Sequence, residues 1–275
     1  MPLPLDSFCV NFCRLLSAMR FLFKNEKPVV LAREPVHANV PDLADAELAA
    51  IYYGQRMAGD FYDFIRVSPS RVIFGLLDVA GRHDDNRDVI MAAQQTFRSQ
   101  ATELFAGDEV NEAEAMIQLC IHLNRTILQA EGGGVRSCPG FAGCYNESLG
   151  TVSYFNAGHT PGLLLHNAGI AELGATGLPL GLFSHATCDA PMVALEPGAA
   201  LLVVSRGVVE GKCKGNEFGL GGVMNSIQRA RTASAPELCQ TVLDRVQEFM
   251  CRPPTDDDVT ALALRRAAEI PATKP

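Results

Sequence analysis

Residues 71–79, RVIFGLLDV, form an almost continuous apolar run that carries an aspartate, Asp78, close to its end. A run of this kind is typical of a strand that is buried on both faces. A carboxylate at the end of a buried strand is costly unless it is paired or bound to a cation. The segment therefore predicts a central strand with a polar site at its end.

Blocks of strand-like and helix-like segments follow one another along the chain. Two apolar stripes at helical spacing lie between residues 89 and 127, and Ser234 with Glu237 forms a capping box before another helix. Short apolar segments bounded by turn residues predict strands. The predicted strands are 46–53, 61–67, 71–79, 141–145, 151–155, 162–166, 201–204 and 259–264. Strand blocks separated by helix blocks favour an α+β fold over a parallel βαβ sheet.

The composition excludes several classes of protein. A formal net charge of −8, with no cluster of basic residues, argues against binding to nucleic acid or to an anionic membrane. The hydrophobic fraction of 48% excludes a disordered chain. The nine cysteines are odd in number and include no C-x-x-C pair, which argues against a disulfide framework and a structural zinc site. Scattered thiols of this kind suit the reducing cytoplasm.

The first 39 residues predict a helical extension before the main domain. Apolar residues recur there at helical spacing, but charged residues interrupt them well short of the ~20 residues that a membrane-spanning helix needs. We therefore expect no membrane segment. The helix would pack on its own domain or against a partner, for example in a homodimer. Pro35 and Pro41 mark the boundary, which predicts a domain over residues 40–266 and a C-terminal tail over 267–275.

Aspartates stand at the ends of three predicted strands. Asp60 opens one strand, Asp78 closes the next, and residues 256–258 precede the last strand. Oxygen ligands gathered from several segments suit Mg²⁺ or Mn²⁺. The alternative interpretation is that these aspartates only cap turns.

These aspartates lie within short motifs that follow one another in a fixed order along the chain. The motifs are GDFYD at 59–63, LDVAG at 77–81, YFNAGHTP at 154–161, GLPLG at 177–181 and DDVT at 257–260. With these motifs the chain resembles the metal-dependent protein phosphatases (PPM, type 2C). The likeness is to the bacterial branch related to the sporulation stage II phosphatase E and to the stress-response sigma-factor phosphatases, and it covers residues 40–266.

The resemblance implies a fold and a chemistry. The fold is an α-β-β-α sandwich, in which two antiparallel sheets are flanked by helix pairs. Two Mn²⁺ or Mg²⁺ ions activate a water that attacks phosphorus. Asp60 and Asp78 match catalytic metal-binding aspartates, the Val79 carbonyl matches a further ligand, and Asp257 matches the last one, with Asp258 as the alternative in register. The implied substrate is a phosphorylated protein, for example an anti-sigma-factor antagonist.

One position departs from the pattern of the family. Arg206 follows the apolar strand at 201–204, where the family has a further metal-binding aspartate. Arginine stays protonated and cannot bind a cation. Three carboxylates and one guanidinium sum to −2, which one divalent ion balances, so a site with one ion is expected. Arg206 would then take the place of the missing cation by pairing with Asp257 or Asp258.

The sequence leaves two hypotheses about function open. The chain is either an active serine/threonine phosphoprotein phosphatase, or a metal-poor relative that binds a phosphoprotein without hydrolysing it. Arg82 and His83 are candidates for substrate contact, although a solvated loop is an equal interpretation of them. His159, in the N-A-G-H motif, looks like a catalytic histidine but is expected to order its turn instead.

Overall fold

The structure is a computed structural model that describes residues 39–53, 59–81, 83–130, 137–185, 187–230, 232–251 and 258–268, without the side chains of 83–85. The predicted N-terminal helix and most of the predicted tail lie outside these residues. The boundaries 1–39, 40–266 and 267–275 therefore stay predictions. No helix in the described part of the chain is both long enough and apolar enough to cross a bilayer.

Twelve strands are described. They are β1 (Ala46–Tyr53), β2 (Asp60–Arg66), β3 (Arg71–Asp78), β4 (Gly140–Asn146), β5 (Thr151–Ala157), β6 (Gly162–His166), β7 (Gly169–Leu173), β8 (Met192–Ala194), β9 (Ala200–Val204), β10 (Lys212–Cys213), β11 (Asn216–Glu217) and β12 (Val259–Arg266). One five-stranded antiparallel sheet has the order β1-β12-β9-β6-β7, and the other has the order β2-β3-β4-β5-β8. β10 and β11 form a small separate hairpin.

The described helices cover the outer faces of the two large sheets. They are α1 (His83–Phe105), α2 (Glu112–Gln129), α3 (Arg206–Val209), α4 (Gly219–Gln228) and α5 (Ala235–Phe249). α1 and α2 share one apolar cluster with the β2–β8 sheet. α3, α4 and α5 share a second cluster with the β1–β7 sheet. The order of layers is therefore helix, sheet, sheet, helix, which confirms the predicted α-β-β-α sandwich.

The apolar run of β3 explains why the two sheets stack. Ile73 and Leu77 point into the cluster under α1 and α2, whereas Val72, Phe74 and Leu76 belong to the cluster between the sheets. Successive residues of a strand face opposite sides, and an apolar cluster covers each side of β3. All of these side chains are therefore fully buried. β3 thus lies in the middle of the molecule, and its last residue, Asp78, comes to the edge of the sandwich.

Local signals in the sequence fix several helix ends. The Ser234 hydroxyl accepts from the Glu237 N–H, and the Glu237 carboxylate accepts from the Ser234 N–H, which confirms the capping box before α5. Asn111 caps α2 by accepting from the Glu114 N–H.

The cysteines require a correction. A disulfide joins Cys213, in β10, to Cys251, just after α5, although the odd count and the spacing predicted free thiols. Five further cysteines in the described residues are free and buried. The spacing could not reveal the pair, because a disulfide depends on which segments the fold brings together. One bridge between a hairpin and a helix end is still not a disulfide framework.

Candidate metal centre

Asp60 and Asp78 meet because of the register between β2 and β3. The two strands are antiparallel, and Asp60 lies directly opposite Asp78 at the end of the pair. Residues opposite one another in such a pair have Cβ atoms about 4.5–5.5 Å apart. Backbone pairing alone therefore holds the two carboxylates side by side. Asp78 is buried, whereas Asp60 is only partly buried.

The other sheet contributes a third carboxylate at the same edge. The Asp60 backbone N–H donates to Asp258 Oδ2 at 3.3 Å, and the Thr260 hydroxyl donates to Asp60 Oδ2 at 2.8 Å. Asp258 directly precedes β12, and Thr260 lies within it. The structure thus brings Asp60 together with Asp78 on one side and with Asp258 on the other, across the gap between the sheets.

Ser205 fastens the end of β9 to this part of β12. The Ser205 N–H donates to the Thr260 carbonyl at 2.9 Å, and the Thr260 N–H donates to Ser205 Oγ at 3.0 Å. Ser205 Oγ donates in turn to the Asp258 carbonyl at 3.0 Å. These bonds fix where the next residue, Arg206, leaves the strand.

Arg206 reaches the acidic cluster. Its Nε lies 3.5 Å from Asp78 Oδ2, with the arginine side chain 48% exposed and that of Asp78 only 8%. Within the described residues the structure shows an ion pair of Arg206 with Asp78, and the expected pairing with Asp257 or Asp258 stays a prediction. Asp257 lies outside the described residues. The guanidinium partly offsets the charge of Asp78, a buried carboxylate of the cluster.

The electrostatics of the cluster favour a cation. Burial and the neighbouring charge of Asp78 raise the pKa of Asp60 well above its usual range, and Asp258 adds to the rise. Hydrogen bonds from Thr260 and Ser205 act in the opposite direction by stabilising the ionised form. A divalent ion would relieve the repulsion that remains between these carboxylates.

The Val79 carbonyl lies against the start of β2. A Cβ atom built on Gly59 would come 1.9 Å from the Val79 carbonyl oxygen, so that only glycine fits there. The Val79 N–H donates to the Gly59 carbonyl at 3.1 Å, which holds the two segments in this close approach. The glycine of the GDFYD motif thus makes room for a backbone oxygen beside the first residue of the strand, Asp60.

This donor set fits a divalent ion. Asp60, Asp78 and the Val79 carbonyl offer only oxygen atoms, and Mg²⁺ is commonly held by one or two carboxylates while it keeps several waters. Within the described residues, no three His, Cys, Asp or Glu side chains form a cluster able to hold an ion by themselves. One ion held by two carboxylates, a carbonyl and waters agrees with both observations.

His159 belongs to a turn rather than to the acidic cluster. Its backbone N–H donates to Asn156 Oδ1 at 2.8 Å, and its Nδ1 lies 3.2 Å from the Thr160 carbonyl oxygen. Burial lowers the pKa of His159 to about 4, partly offset by that carbonyl, so the ring is neutral at pH 7. These contacts agree with the expectation that His159 orders the turn.

Two further candidates have no described side chain. Arg82 lies outside the described residues, and His83 is the first residue of α1, with its side chain outside the description. Sequence reasoning missed Ser205, the hydroxyl role of Thr260, and Asn86, whose amide contacts the Val79 carbonyl at 3.2 Å. The DDVT motif contained a signal for Thr260, whereas nothing in the sequence distinguishes Ser205 or Asn86 from other polar residues.

Comparisons with known proteins agree with the fold. Residues 68–267 match the family described as stage II sporulation protein E (SpoIIE). The chain is 23% identical to protein IcfG of Synechocystis over 248 residues, and 23% identical to phosphoserine phosphatase RsbP of Bacillus subtilis over 206 residues. These matches cover 83% and 74% of this chain but only 39% and 47% of the relatives, so the chain spans less than half of their length.

Solved structures show the same fold. The RsbU and RsbW domains of Rv1364c from Mycobacterium tuberculosis match with a TM-score of 0.67 at 24% identity, over 84% of this chain and 62% of that chain. RsbX in complex with magnesium matches with a TM-score of 0.58 at 9% identity, over 84% of this chain and 100% of that one. Since the family match covers well over half of the chain, it belongs to the stage II sporulation protein E family and carries a phosphatase domain of the PP2C type.

Proposed function

We propose that this chain is a metal-dependent serine/threonine phosphoprotein phosphatase that acts in bacterial signalling, for example in sigma-factor partner switching. The observation that supports it most is the convergence of Asp60, Asp78 and Asp258 at one edge of a PP2C-type fold. The relatives and neighbours named above include a phosphoserine phosphatase and an RsbU domain. That likeness is the basis for the proposed substrate class, and we propose that the protein acts in the cytoplasm.

Asp60, Asp78 and the Val79 carbonyl would hold the ion, Mn²⁺ or Mg²⁺, with Asp257 or Asp258 as a further ligand. A divalent ion bound there would lower the pKa of a water bound to it and would neutralise charge on the phosphoryl group. The Thr260 hydroxyl orients Asp60 by donating to one of its oxygens, which leaves the other oxygen for a cation. Asp60 and Asp78 are the catalytic residues in this proposal.

Arg206 supports a site with one ion rather than two. Asp60, Asp78 and Asp258 contribute −3 and Arg206 contributes +1, which gives a local sum of −2. One divalent ion brings that sum to zero, whereas a second would leave an excess of positive charge beside a guanidinium. We therefore propose one ion per chain under ordinary metal concentrations.

The test is hydrolysis of p-nitrophenyl phosphate and of a phosphoserine peptide by purified protein, with Mn²⁺, with Mg²⁺ and with EDTA. Turnover that requires the metal and is lost in Asp78→Asn supports the proposal. Metal-independent turnover, or full activity of Asp78→Asn, contradicts it. Asp108→Asn is the matched control, because Asp108 is exposed and lies near Arg71, at the opposite end of β3.

The ion pair between Arg206 and Asp78 favours a second candidate function. A guanidinium paired with the buried carboxylate of Asp78 competes with a cation, and a chain with too little bound metal could bind a phosphoprotein without hydrolysing it. The same assay separates the two functions. Binding of the phosphoserine peptide without turnover, at saturating Mn²⁺, would identify the pseudophosphatase.

A further inference from the structure

We infer that Asn86 is a positioning residue for the metal centre, because its side-chain amide sets the direction of the Val79 carbonyl. This inference rests on the proposed function, since it concerns a backbone ligand of the proposed ion. Asn86 lies in the first turn of α1 and is only 1% exposed. Nothing in the motifs of the sequence points to it.

The amide of Asn86 bridges two successive carbonyls. Its Nδ2 donates to the Val79 carbonyl at 3.2 Å and to the Ala80 carbonyl at 3.0 Å. Two carbonyl oxygens that converge on one point repel each other unless a donor lies between them. Since the site is buried, water cannot easily replace that donor, and an unsatisfied buried carbonyl is costly.

The backbone on either side is shaped around this contact. Gly81 has a φ of +115°, and a Cβ atom built there would come 3.0 Å from Asn86 Nδ2. Gly59 leaves room for the Val79 oxygen on the other side, where a Cβ atom would come within 1.9 Å of it. The two glycines of the GDFYD and LDVAG motifs therefore make room for the carbonyl and for the amide that holds it.

The other backbone groups of this segment are already bound. The Asp78 N–H donates to the Pro139 carbonyl at 2.8 Å, and the Ala80 N–H donates to the Ser137 carbonyl at 2.9 Å. These N–H groups thus fix the segment to the residues that precede β4, whereas the carbonyls of Val79 and Ala80 are directed by Asn86. A carbonyl oxygen has two lone pairs, so one can accept from Asn86 while the other faces a cation.

The helix that carries Asn86 is itself anchored to the strand that carries Asp60. Arg98 of α1 donates to both carboxylate oxygens of Asp63, at 2.6 and 2.7 Å, and Asp63 lies in β2. The position of Asn86 relative to β2 is therefore fixed, and the hydrogen bond from Asn86 fixes the position of the Val79 oxygen in turn. Partners of this kind, which orient a ligand without touching the metal, commonly change metal affinity by about 10- to 100-fold when removed.

The test measures Mn²⁺ affinity by isothermal titration calorimetry, and the free energy of unfolding in urea, for the full chain and three variants. Asn86→Ala removes the donor, and Asn86→Leu removes it while keeping the same branched arrangement of side-chain heavy atoms. Asn146→Ala is the matched control, because Asn146 is a buried asparagine at the far end of β4 whose amide donates to Glu112.

We expect both Asn86 variants to bind Mn²⁺ about 10-fold or more weakly than the wild type. Asn146→Ala should lose stability but keep the wild-type affinity. Wild-type affinity in a folded Asn86→Leu protein, or an equal loss of affinity in Asn146→Ala, would overturn the positioning role. Absence of Mn²⁺ binding by the wild type would instead reject the proposed metal-dependent function, and this inference with it.

Discussion

Arg206 changes the charge of the site more than it changes the stability of the fold. Its ion pair with Asp78 spans 3.5 Å, and its side chain is 48% exposed, so solvent screens the interaction strongly. Its consequence is electrostatic, because it places one positive charge beside the carboxylate of Asp78. The number of ions that the site can hold should therefore depend on this one side chain.

Arg206→Asp should raise the Mn²⁺ stoichiometry from one to two ions per chain, because the local sum falls from −2 to −4. Turnover of an aryl phosphate should rise at millimolar Mn²⁺, since two ions neutralise the phosphoryl charge better than one. Calorimetric titration and electron paramagnetic resonance of the bound Mn²⁺ would measure the stoichiometry. Arg206→Gln is the control, because it removes the positive charge without adding a ligand. Equal stoichiometry in Arg206→Asp and the wild type would exclude Arg206 as the determinant.

His159 makes the stability of the chain depend on pH. Its pKa is about 4 in the folded protein because of burial, and about 6.5 in an unfolded chain. Between these values the unfolded state binds more protons, so stability is present above pH 6.5 and is lost as the pH falls toward 4. From pH 7 to pH 5 the loss due to His159 should be about 2 kcal/mol. Urea unfolding at both pH values should show a smaller loss for His159→Gln, and an unchanged loss would contradict the assignment.

Among the helices and strands, α1 is attached to β2 in part by an ion pair between Arg98 and the buried Asp63. The Asp63 side chain is fully buried, and Arg98 is 33% exposed, with a second donor to Asp63 from Gln94 at 3.2 Å. Removing one partner of a buried pair leaves an uncompensated charge. The geometry of the proposed metal centre thus relies on a contact 12 residues away from Asn86 along α1.

Arg98→Ala should lower the free energy of unfolding by about 3 kcal/mol, at the lower end of the range for broken buried pairs, because Gln94 still donates to Asp63. Arg245→Ala in α5 is the matched control. Arg245 pairs with Glu248 at 2.9 Å, but both side chains are about half exposed or more, so its loss should cost less than about 0.5 kcal/mol. Denaturant unfolding of both variants would measure this, and equal losses would refute the distinction.

The Cys213–Cys251 disulfide ties the β10–β11 hairpin to the end of α5. The two cysteines are 38 residues apart, and in the chain-entropy description a closed loop of this size stabilises the folded state by about 4 kcal/mol. Dithiothreitol should therefore lower the unfolding free energy of the wild type by about that amount. Cys213→Ser should have the same stability with and without the reductant. A wild type that is insensitive to reductant would contradict the prediction.

The strands of the core could be predicted from the sequence, but α4 and β7 could not. α4 begins at Gly219 and contains Gly221 and Gly222, and each glycine lowers helix propensity by about 1 kcal/mol relative to alanine. This helix exists because Val223 and Ile227 are buried against the β1–β7 sheet. β7 has only one buried residue, so no alternation of apolar residues marked it. Tertiary packing decides both elements.

The approach of Asp60 to Asp78 could be predicted, whereas the place of Asp258 beside them could not. A run of three aspartates does not show which of them lies beside β2. The pairing of Val259 with Tyr53 and of Thr260 with Tyr52 determines the position of the residues just before β12. That pairing places Asp258 next to the Asp60 N–H. The bonds made by Ser205 and Asn86 join distant segments, so they too follow from the folded chain and not from local pattern.

For the chain as a whole, the acidic site exists only while the two sheets remain stacked. Asp60 and Asp78 belong to the β2–β8 sheet. Thr260 lies in β12 of the other sheet, and Asp258 directly precedes that strand. The apolar cluster between the sheets, which includes Phe74 of β3, holds these groups in place. An unfolded chain therefore cannot offer this ligand set, and any ion that binds it must stabilise the fold.

Mn²⁺ should raise the melting temperature of the wild type. A ligand that binds only the folded state at 100 times its Kd stabilises it by about 2.7 kcal/mol, which for a domain of this size is a rise of roughly 5–10 °C. EDTA should reverse the rise. Asp78→Asn should show little or no rise at the same Mn²⁺ concentration, because it loses a carboxylate of the proposed site, whereas Asp108→Asn should respond like the wild type. Differential scanning calorimetry would measure all four cases, and an equal rise in Asp78→Asn would mean that the stabilising ion binds elsewhere in the chain.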